Sequence, residues 1–255
     1  MSSFALRHPI ALALDWATLD LLSSGRMILV PCLGHAAQGP LGEKQRAEWA
    51  AFQRDLKDRI GLFEEGIEVV RGLWGGDRFS YGGRHYQLKE VALPVKPVQR
   101  PPPIWIANHP VHISDPKVAE RSARRIARLA DGWQVADSTP EEFVRWRDWI
   151  VKLGREEFGR RMDGFETCFL ARVNINADRE VAFNEGISFG TEYMRYQYSK
   201  ERADRYLFAY GSADDCIRSL ERIVEHRPTH VDVQLSSRDQ MGQLRRLVRE
   251  VLPSF

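Results

Sequence analysis

His109 and His112, three scattered cysteines and a few carboxylates and amides are the groups in this chain with chemistry to offer. The His-x-x-His spacing suits metal ligation, yet no third ligand stands nearby, so no metal site is expected. The other reading of His109 is a loop histidine bonded to backbone. Cys32, Cys168 and Cys216 lie far apart with no CxxC pair, which points to a reducing compartment and away from a zinc knuckle. Neither HExxH nor GxSxG occurs, so zinc and serine hydrolases have no signature here. What remains is positional: Cys32, Asn108 with His109, Asp137 with Ser138, Asn174 with Asn176, and Ser236 all follow short apolar runs. In a parallel barrel those strand ends line the mouth where ligands bind.

The elements that must position these groups are legible around Pro101–Trp133. A proline-rich approach delivers the apolar strand Ile104 to Ala107, a polar loop follows, and Asp115-Pro116 opens a helix, with Asp as N-cap and Pro at the first helical position. Val118, Ser122, Ile126 and Leu129, with Ala119, Ala123 and Ala130, form the inward stripe of that helix against an arginine-rich face. Asp131-Gly132-Trp133 then opens the next strand, which completes a βαβ unit.

Strands are expected near residues 27–31, 104–107, 133–136, 167–175 and 230–235. On the fourth, Phe169, Ala171, Val173 and Ile175 share one face, while Cys168, Leu170, Arg172 and Asn174 share a second that becomes polar toward the C-terminal end. A helix behind Pro9 carries Ile10, Leu14, Ala17 and Leu21 on one face. A long helix from about Ala47 to Trp74 carries Leu56, Ile60, Phe63, Ile67, Val70 and Trp74. Phe79, Tyr81, Tyr86 and Leu88 flank Gly82-Gly83 as a β-hairpin. Thr139-Pro140-Glu141-Glu142 and Ser212 begin further helices, and Ser237 to Gln240 starts the last, with Leu244, Leu247 and Val251 inward. Val181 to Tyr210 reads as mostly helical; within it Tyr193, Tyr196 and Tyr198, with Trp146 and Trp149, are either packing residues or the wall of a substrate pocket.

With 255 residues, 43% hydrophobic and 28% charged, the chain is expected to form one globular domain over 1–255. A net charge of +2 gives no case for nucleic acid, and Arg121 to Arg128 read as a solvated helix face. No apolar run reaches membrane-spanning length and no signal peptide pattern opens the chain, so a cytoplasmic protein is expected.

The Pro97-Val98-Gln99-Arg100-Pro101-Pro102 approach, the Ile104-Trp105-Ile106-Ala107-Asn108 strand and the Ala127-Arg128-Leu129-Ala130-Asp131-Gly132-Trp133 ending together resemble the luciferase-like flavin-dependent monooxygenases. Arg7-His8-Pro9, Thr18-Leu19-Asp20, Ser24-Gly25-Arg26 and Gly211-Ser212 follow in the same order, so the resemblance covers nearly the whole chain. It implies an α/β fold of the (β/α)8 TIM-barrel type, incomplete, with about five βα units present, the first three absent, and a β-hairpin insertion. A start codon placed too late or a degraded paralogue accounts for such a chain more readily than a working half-barrel, whose open edges favour aggregation.

The resemblance also implies a cofactor site at Cys32, Asn108, His109 and Ser114, and a substrate pocket at Asp137, Asn174 and Tyr193. Gly25, Arg26, Cys32 and Gly34 match the family's Gly-Arg-x-x-x-x-x-Cys-x-Gly pattern around a reactive cysteine. A buried cysteine acting as a small hydrophobe is the bland alternative. Leu33 departs from the family's phosphate-binding arginine. Asn108 and His109 stand where luciferase has a Glu-Ser pair, and backbone N–H groups at the following helix start are placed to hold a phosphate. The implied reaction uses reduced FMN and oxygen on a small organic substrate, with a flavin reductase as partner and a homodimeric assembly. The deazaflavin F420 is the alternative cofactor and would transfer hydride instead. A non-catalytic truncated paralogue or flavin-binding subunit is the rival from another class.

Overall fold

The computed structural model describes residues 4–34, 39–109, 113–194, 199–201 and 209–255. In chain order they form α1 (Pro9–Leu22), α2 (Gly39–Ala51), α3 (Arg59–Gly75), β1 (Phe79–Gly82), β2 (Gln87–Val91), β3 (Trp105–Ala107), α4 (Pro116–Leu129) and β4 (Gly132–Val135). There follow α5 (Pro140–Glu156), β5 (Glu166–Ile175), α6 (Arg179–Met194), β6 (Ala209–Gly211), α7 (Ala213–Val224), β7 (His230–Leu235) and α8 (Gln240–Arg246), which continues as a π turn over Leu247–Val251. β1 and β2 pair antiparallel, as the expected hairpin, whereas β6 and β7 pair parallel with β5 and Leu29 bridges Ile104 in parallel. The class is therefore α/β with parallel pairing. No helix among the described residues is long and apolar enough to cross a membrane. The chain divides into two compact units, Met1–Ala107 with Arg124–Gly132, and Asn108–Ala123 with Trp133–Phe255.

In the first unit the strand expected at 27–31 is reduced to the single bridge at Leu29. Backbone bonds nevertheless run along it, from Leu29 N–H to the Pro103 carbonyl (2.9 Å), Trp105 N–H to Leu29 (2.8 Å) and Ala107 N–H to Pro31 (3.3 Å). Asp131 anchors this pairing. Its Oδ2 accepts from Ile104 N–H at 3.0 Å and from Arg71 of α3 at 2.7 Å, which gives the Asp-Gly-Trp sequence a structural task.

Three expectations for this unit fail for identifiable reasons. α1 buries Leu12, Ala13, Ala17 and Asp20, leaving Leu21 54% exposed, because a helix apolar nearly all round has no moment to fix its phase. The single long helix is two, broken where Gln53 takes φ 54° and Asp55 caps a 3-10 turn by accepting from Lys57 N–H at 2.9 Å. Arg125 is no solvated residue: it is buried and pairs with Glu64 of α3 at 2.7 Å.

The second unit is organised on β5, whose Cys168–Val173 pair with His230–Leu235 of β7, and whose Val173–Ile175 pair with Ala209–Gly211 of β6. β6 lies in the stretch expected to be mostly helical; α6 ends at Met194. A capping box starts α5 (Thr139 with Glu142) and Ser212 caps α7, both as the sequence indicates, and Asp215 completes a second box at α7. α8 is capped by Asp239; Leu247 and Val251 are buried as expected, but Leu244 is 42% exposed and Gln243 points inward instead. The reason is polar. Gln243 Oε1 accepts from Ile175 N–H at 2.7 Å and its Nε2 donates to the Ile175 carbonyl at 3.0 Å, closing the end of β5 as a neighbouring strand would.

Asp20 ties the first unit's connections together and yields a test. Fully buried, it accepts from Gln99 N–H (2.9 Å), Gln99 Nε2 (2.7 Å) and Met27 N–H (3.3 Å). Burial works to raise its pKa, but the bonds from Gln99 and Met27 outweigh it, so the folded carboxyl titrates below the usual aspartate range. Its stabilisation is thus present above the unfolded pKa and lost as pH falls through the lower folded one. Asp20→Asn is expected to cost about 2–4 kcal/mol at pH 7, because an amide cannot accept at both ends. In urea denaturation the deficit should be full at pH 7 and shrink below about pH 4; a deficit independent of pH would show that the folded carboxyl is not ionised.

Candidate functional site

The second unit presents one polar sheet face. Along β5, Phe169, Ala171, Val173 and Ile175 are buried, Phe169 edge-on to Phe143 of α5 at 5.7 Å, while Leu170 and Arg172 on the alternate face keep partial exposure. The parallel register puts Cys168, Leu170 and Arg172 beside His230, Asp232 and Gln234 of β7. From β4, Gln134 Nε2 donates to Asp232 Oδ2 at 3.2 Å and lies 3.9 Å from Cys168 Sγ. Burial and the nearby Asp232 push the Cys168 thiol up to about 11, so it stays protonated. Parallel strands are ordinarily apolar on both faces. A face bearing Gln134, Arg172, Asp232 and Gln234 is therefore built for something other than packing.

At the strand ends this face becomes a linked cluster. Asn108 N–H donates to the Gln134 carbonyl at 3.0 Å, and its Nδ2 is buried with no acceptor among the described residues. The next residue, His109, accepts at Nδ1 from Ala136 N–H at 3.0 Å. A neutral imidazole that accepts at Nδ1 carries its proton on Nε2, which makes that nitrogen a donor. Asp137, one residue beyond Ala136, sits in the left-handed region at φ 52° and takes the guanidinium of Arg172 on its carboxylate. Ser138, also buried, donates to the Thr139 carbonyl at 3.2 Å.

A second polar node closes β5. Asn174 is fully buried; its Nδ2 donates to Glu185 Oε2 (2.9 Å) and to the Ser236 carbonyl (2.8 Å), while Oδ1 has no donor. Ser237 Oγ donates to the other oxygen of Glu185 at 2.6 Å.

The structure thus brings Asn108, His109 and Asp137 into one chain of contacts and seats Asn174 in its own node. Ser114 is exposed next to Asp115, whose carboxylate already accepts from Lys117 N–H at 2.8 Å at the start of α4. Tyr193 is 59% exposed on α6 and stacks on Phe189 at 5.9 Å. Trp146 stacks on Trp133 at 6.4 Å, an aromatic packing cluster. Cys32 belongs to the first unit, where it follows Pro31 at the end of the bridged pair, and burial raises its thiol pKa. His112, Tyr196 and Tyr198 lie outside the described residues. Among those described, no group of His, Cys, Asp and Glu is arranged to hold a metal. Arg172, Gln134 and Glu185 were not singled out from sequence. The available signal was the charge of Arg172 on the alternate face of an otherwise apolar strand.

A family model described as luciferase-like monooxygenase matches residues 2–216. An F420-dependent glucose-6-phosphate dehydrogenase of Amycolatopsis mediterranei is 34% identical over 269 residues, covering 97% of this chain and 75% of the relative. Another of that name, from Nakamurella multipartita, is 28% identical over 181 residues, covering 70% of this chain, which spans about half of that relative (48%). Among solved structures, an F420-dependent secondary alcohol dehydrogenase in complex with an F420-acetone adduct superposes with a TM-score of 0.74 at 17% identity, over 96% of this chain and 74% of its own. A long-chain alkane monooxygenase does so with a TM-score of 0.70 at 17% identity, over 99% and 67%. These two likenesses speak for the fold.

The His109 geometry is checkable directly. At pH 7, nitrogen-15 spectra of the imidazole should show the neutral ring with its proton on Nε2. A ring protonated on Nδ1 would mean that the Ala136 N–H bond does not form.

Proposed function

The chain belongs to the luciferase-like monooxygenase family, and we propose that it serves an oxidoreductase exchanging hydride between the deazaflavin F420 and an alcohol or carbonyl carbon of a small organic substrate. The names of the relatives, F420-dependent glucose-6-phosphate dehydrogenase and F420-dependent hydroxymycolic acid dehydrogenase, carry this choice of cofactor. The reading with FMN and oxygen has support only from fold neighbours such as the alkane monooxygenase and a riboflavin lyase with modified FMN. With F420 the substrate is the hydride source, and no separate flavin reductase is required.

The residues at the strand ends suit such a cofactor. A deazaflavin offers carbonyl, hydroxyl and phosphate oxygens, and the buried Asn108 Nδ2 is a donor lacking an acceptor. Asn108 would hold one of those oxygens. The bound cofactor supplies hydride acceptance and return. The protein's part is position and electrostatics. His109, held as the Nε2–H tautomer by Ala136 N–H, would donate to the substrate oxygen and stabilise the negative charge that grows there as hydride reaches a carbonyl carbon; in the oxidative direction the alcohol's hydroxyl proton leaves to water and the same N–H holds the resulting alkoxide.

Two measurements test the reading. Fluorescence titration should show F420 binding about tenfold or more tighter than FMN, a difference of roughly 1.4 kcal/mol per decade; equal or reversed affinities would return the case to a flavin. With F420 and a secondary alcohol, His109→Ala should lower kcat by about a hundredfold, as loss of one transition-state donor does, while melting remains cooperative. Undiminished turnover would remove His109 from the site.

A further inference from the structure

One cation on the polar face of β5 has hydrogen-bonding capacity to spare. Arg172 gives Nη1–H to Asp137 and, among the described residues, makes no other hydrogen bond or ion pair. Its side chain is 16% exposed, and neither Nε nor Nη2 is among the buried nitrogens that lack a partner, so both donors remain available. The other carboxylate on this face, Asp232, lies opposite Leu170, one step toward the N-terminal end from Arg172, and takes the amide of Gln134. Asp137 is 6% exposed and held at φ 52°, a backbone state that costs energy for a residue other than glycine. Such a state persists where the direction of the side chain matters. Here the Asp137 carboxylate meets one corner of the guanidinium, at Nη1.

We propose that Arg172 anchors the anionic group of a small organic ligand, a carboxylate or a phosphate, through its coplanar Nε–H and Nη2–H, with Asp137 as the positioning residue. The edge matches two oxygens of such a group at once, which a lysine ammonium cannot do. The proposal deepens the oxidoreductase reading by giving its substrate or its cofactor an anionic group, but binding of the anion is measured without turnover.

The test is titration of the full chain with inorganic phosphate and with acetate, by calorimetry and by the NMR signal of Arg172 Nε–H. The wild type should bind at least one of the two and shift that signal. Arg172→Gln should weaken binding about tenfold or more, and Arg172→Lys, which keeps the charge beside Asp137 but loses the fork, several-fold. Should R172Q not fold because Asp137 is left buried without a counter-ion, R172K and the wild-type Nε–H shift decide. Unchanged affinity in R172K, or an unshifted signal at saturating anion, overturns the proposal. Repeating the titration with F420 present separates the two sources: competition assigns the anion to the cofactor's own phosphate, and simultaneous binding assigns it to the substrate. A chain that binds the anion through Arg172 yet fails to bind F420 would retain the anchor and lose the deazaflavin reading.

Discussion

Alternation along β5 is the constraint on which the second unit depends. A strand hands successive side chains to opposite faces, so the sequence from Cys168 to Ile175 sends Phe169, Ala171, Val173 and Ile175 into apolar packing and commits Cys168, Leu170, Arg172 and Asn174 to the other side. The parallel pairing with β7 extends the second set by His230, Asp232 and Gln234. A one-residue slip would bury Arg172 among aromatic rings and turn Phe169 toward the polar groups. The ends of the strand are pinned against that slip. Thr167 N–H donates to Thr229 Oγ1 at 2.7 Å at one end, and Gln243 brackets the Ile175 backbone at the other.

Features with local causes were legible in the amino-acid sequence. The capping box at Thr139, the cap at Ser212, the Pro-initiated helices and the hairpin at Gly82-Gly83 need only neighbouring residues, and all are present. Alternation on the long strand needs only its own side chains, and it too is present. Features whose cause lies in a distant partner were not legible. The phase of α1 follows from Asp20 meeting Gln99, 79 residues away, and the inward position of α8 follows from Gln243 meeting Ile175, 68 residues away. Arg125 looked like one more residue of a charged face until Glu64 took it. In each case a polar residue occupies a core position because a specific backbone or carboxylate group awaits it, and hydropathy reads such residues as surface.

The same distinction applies to the site. That Asn108, His109 and Asp137 fall at strand ends could be read from the apolar runs before them. What each one does there depends on partners contributed by other strands: Gln134 and Ala136 from β4 and its end, Arg172 from β5. Cys32 lies in the first unit, and burial raises its thiol pKa, which favours the protonated thiol.

The balance of donors and acceptors at these strand ends bears on the kind of chemistry they support. The carboxylates are already engaged: Asp137 by Arg172, Asp232 by Gln134, and Glu185 by Asn174 and Ser237. Donors, by contrast, are left over at Asn108 Nδ2 and along the outer edge of Arg172, and His109 is fixed as a donor at Nε2. Catalysis requires interactions that strengthen as the transition state forms. A site with surplus donors strengthens its hold on an oxygen as that oxygen gains negative charge, which happens when hydride reaches a carbonyl carbon. The arrangement suits an electron-rich oxygen far better than a nucleophilic attack by a protein side chain, for which it would need a base and has instead a set of occupied carboxylates.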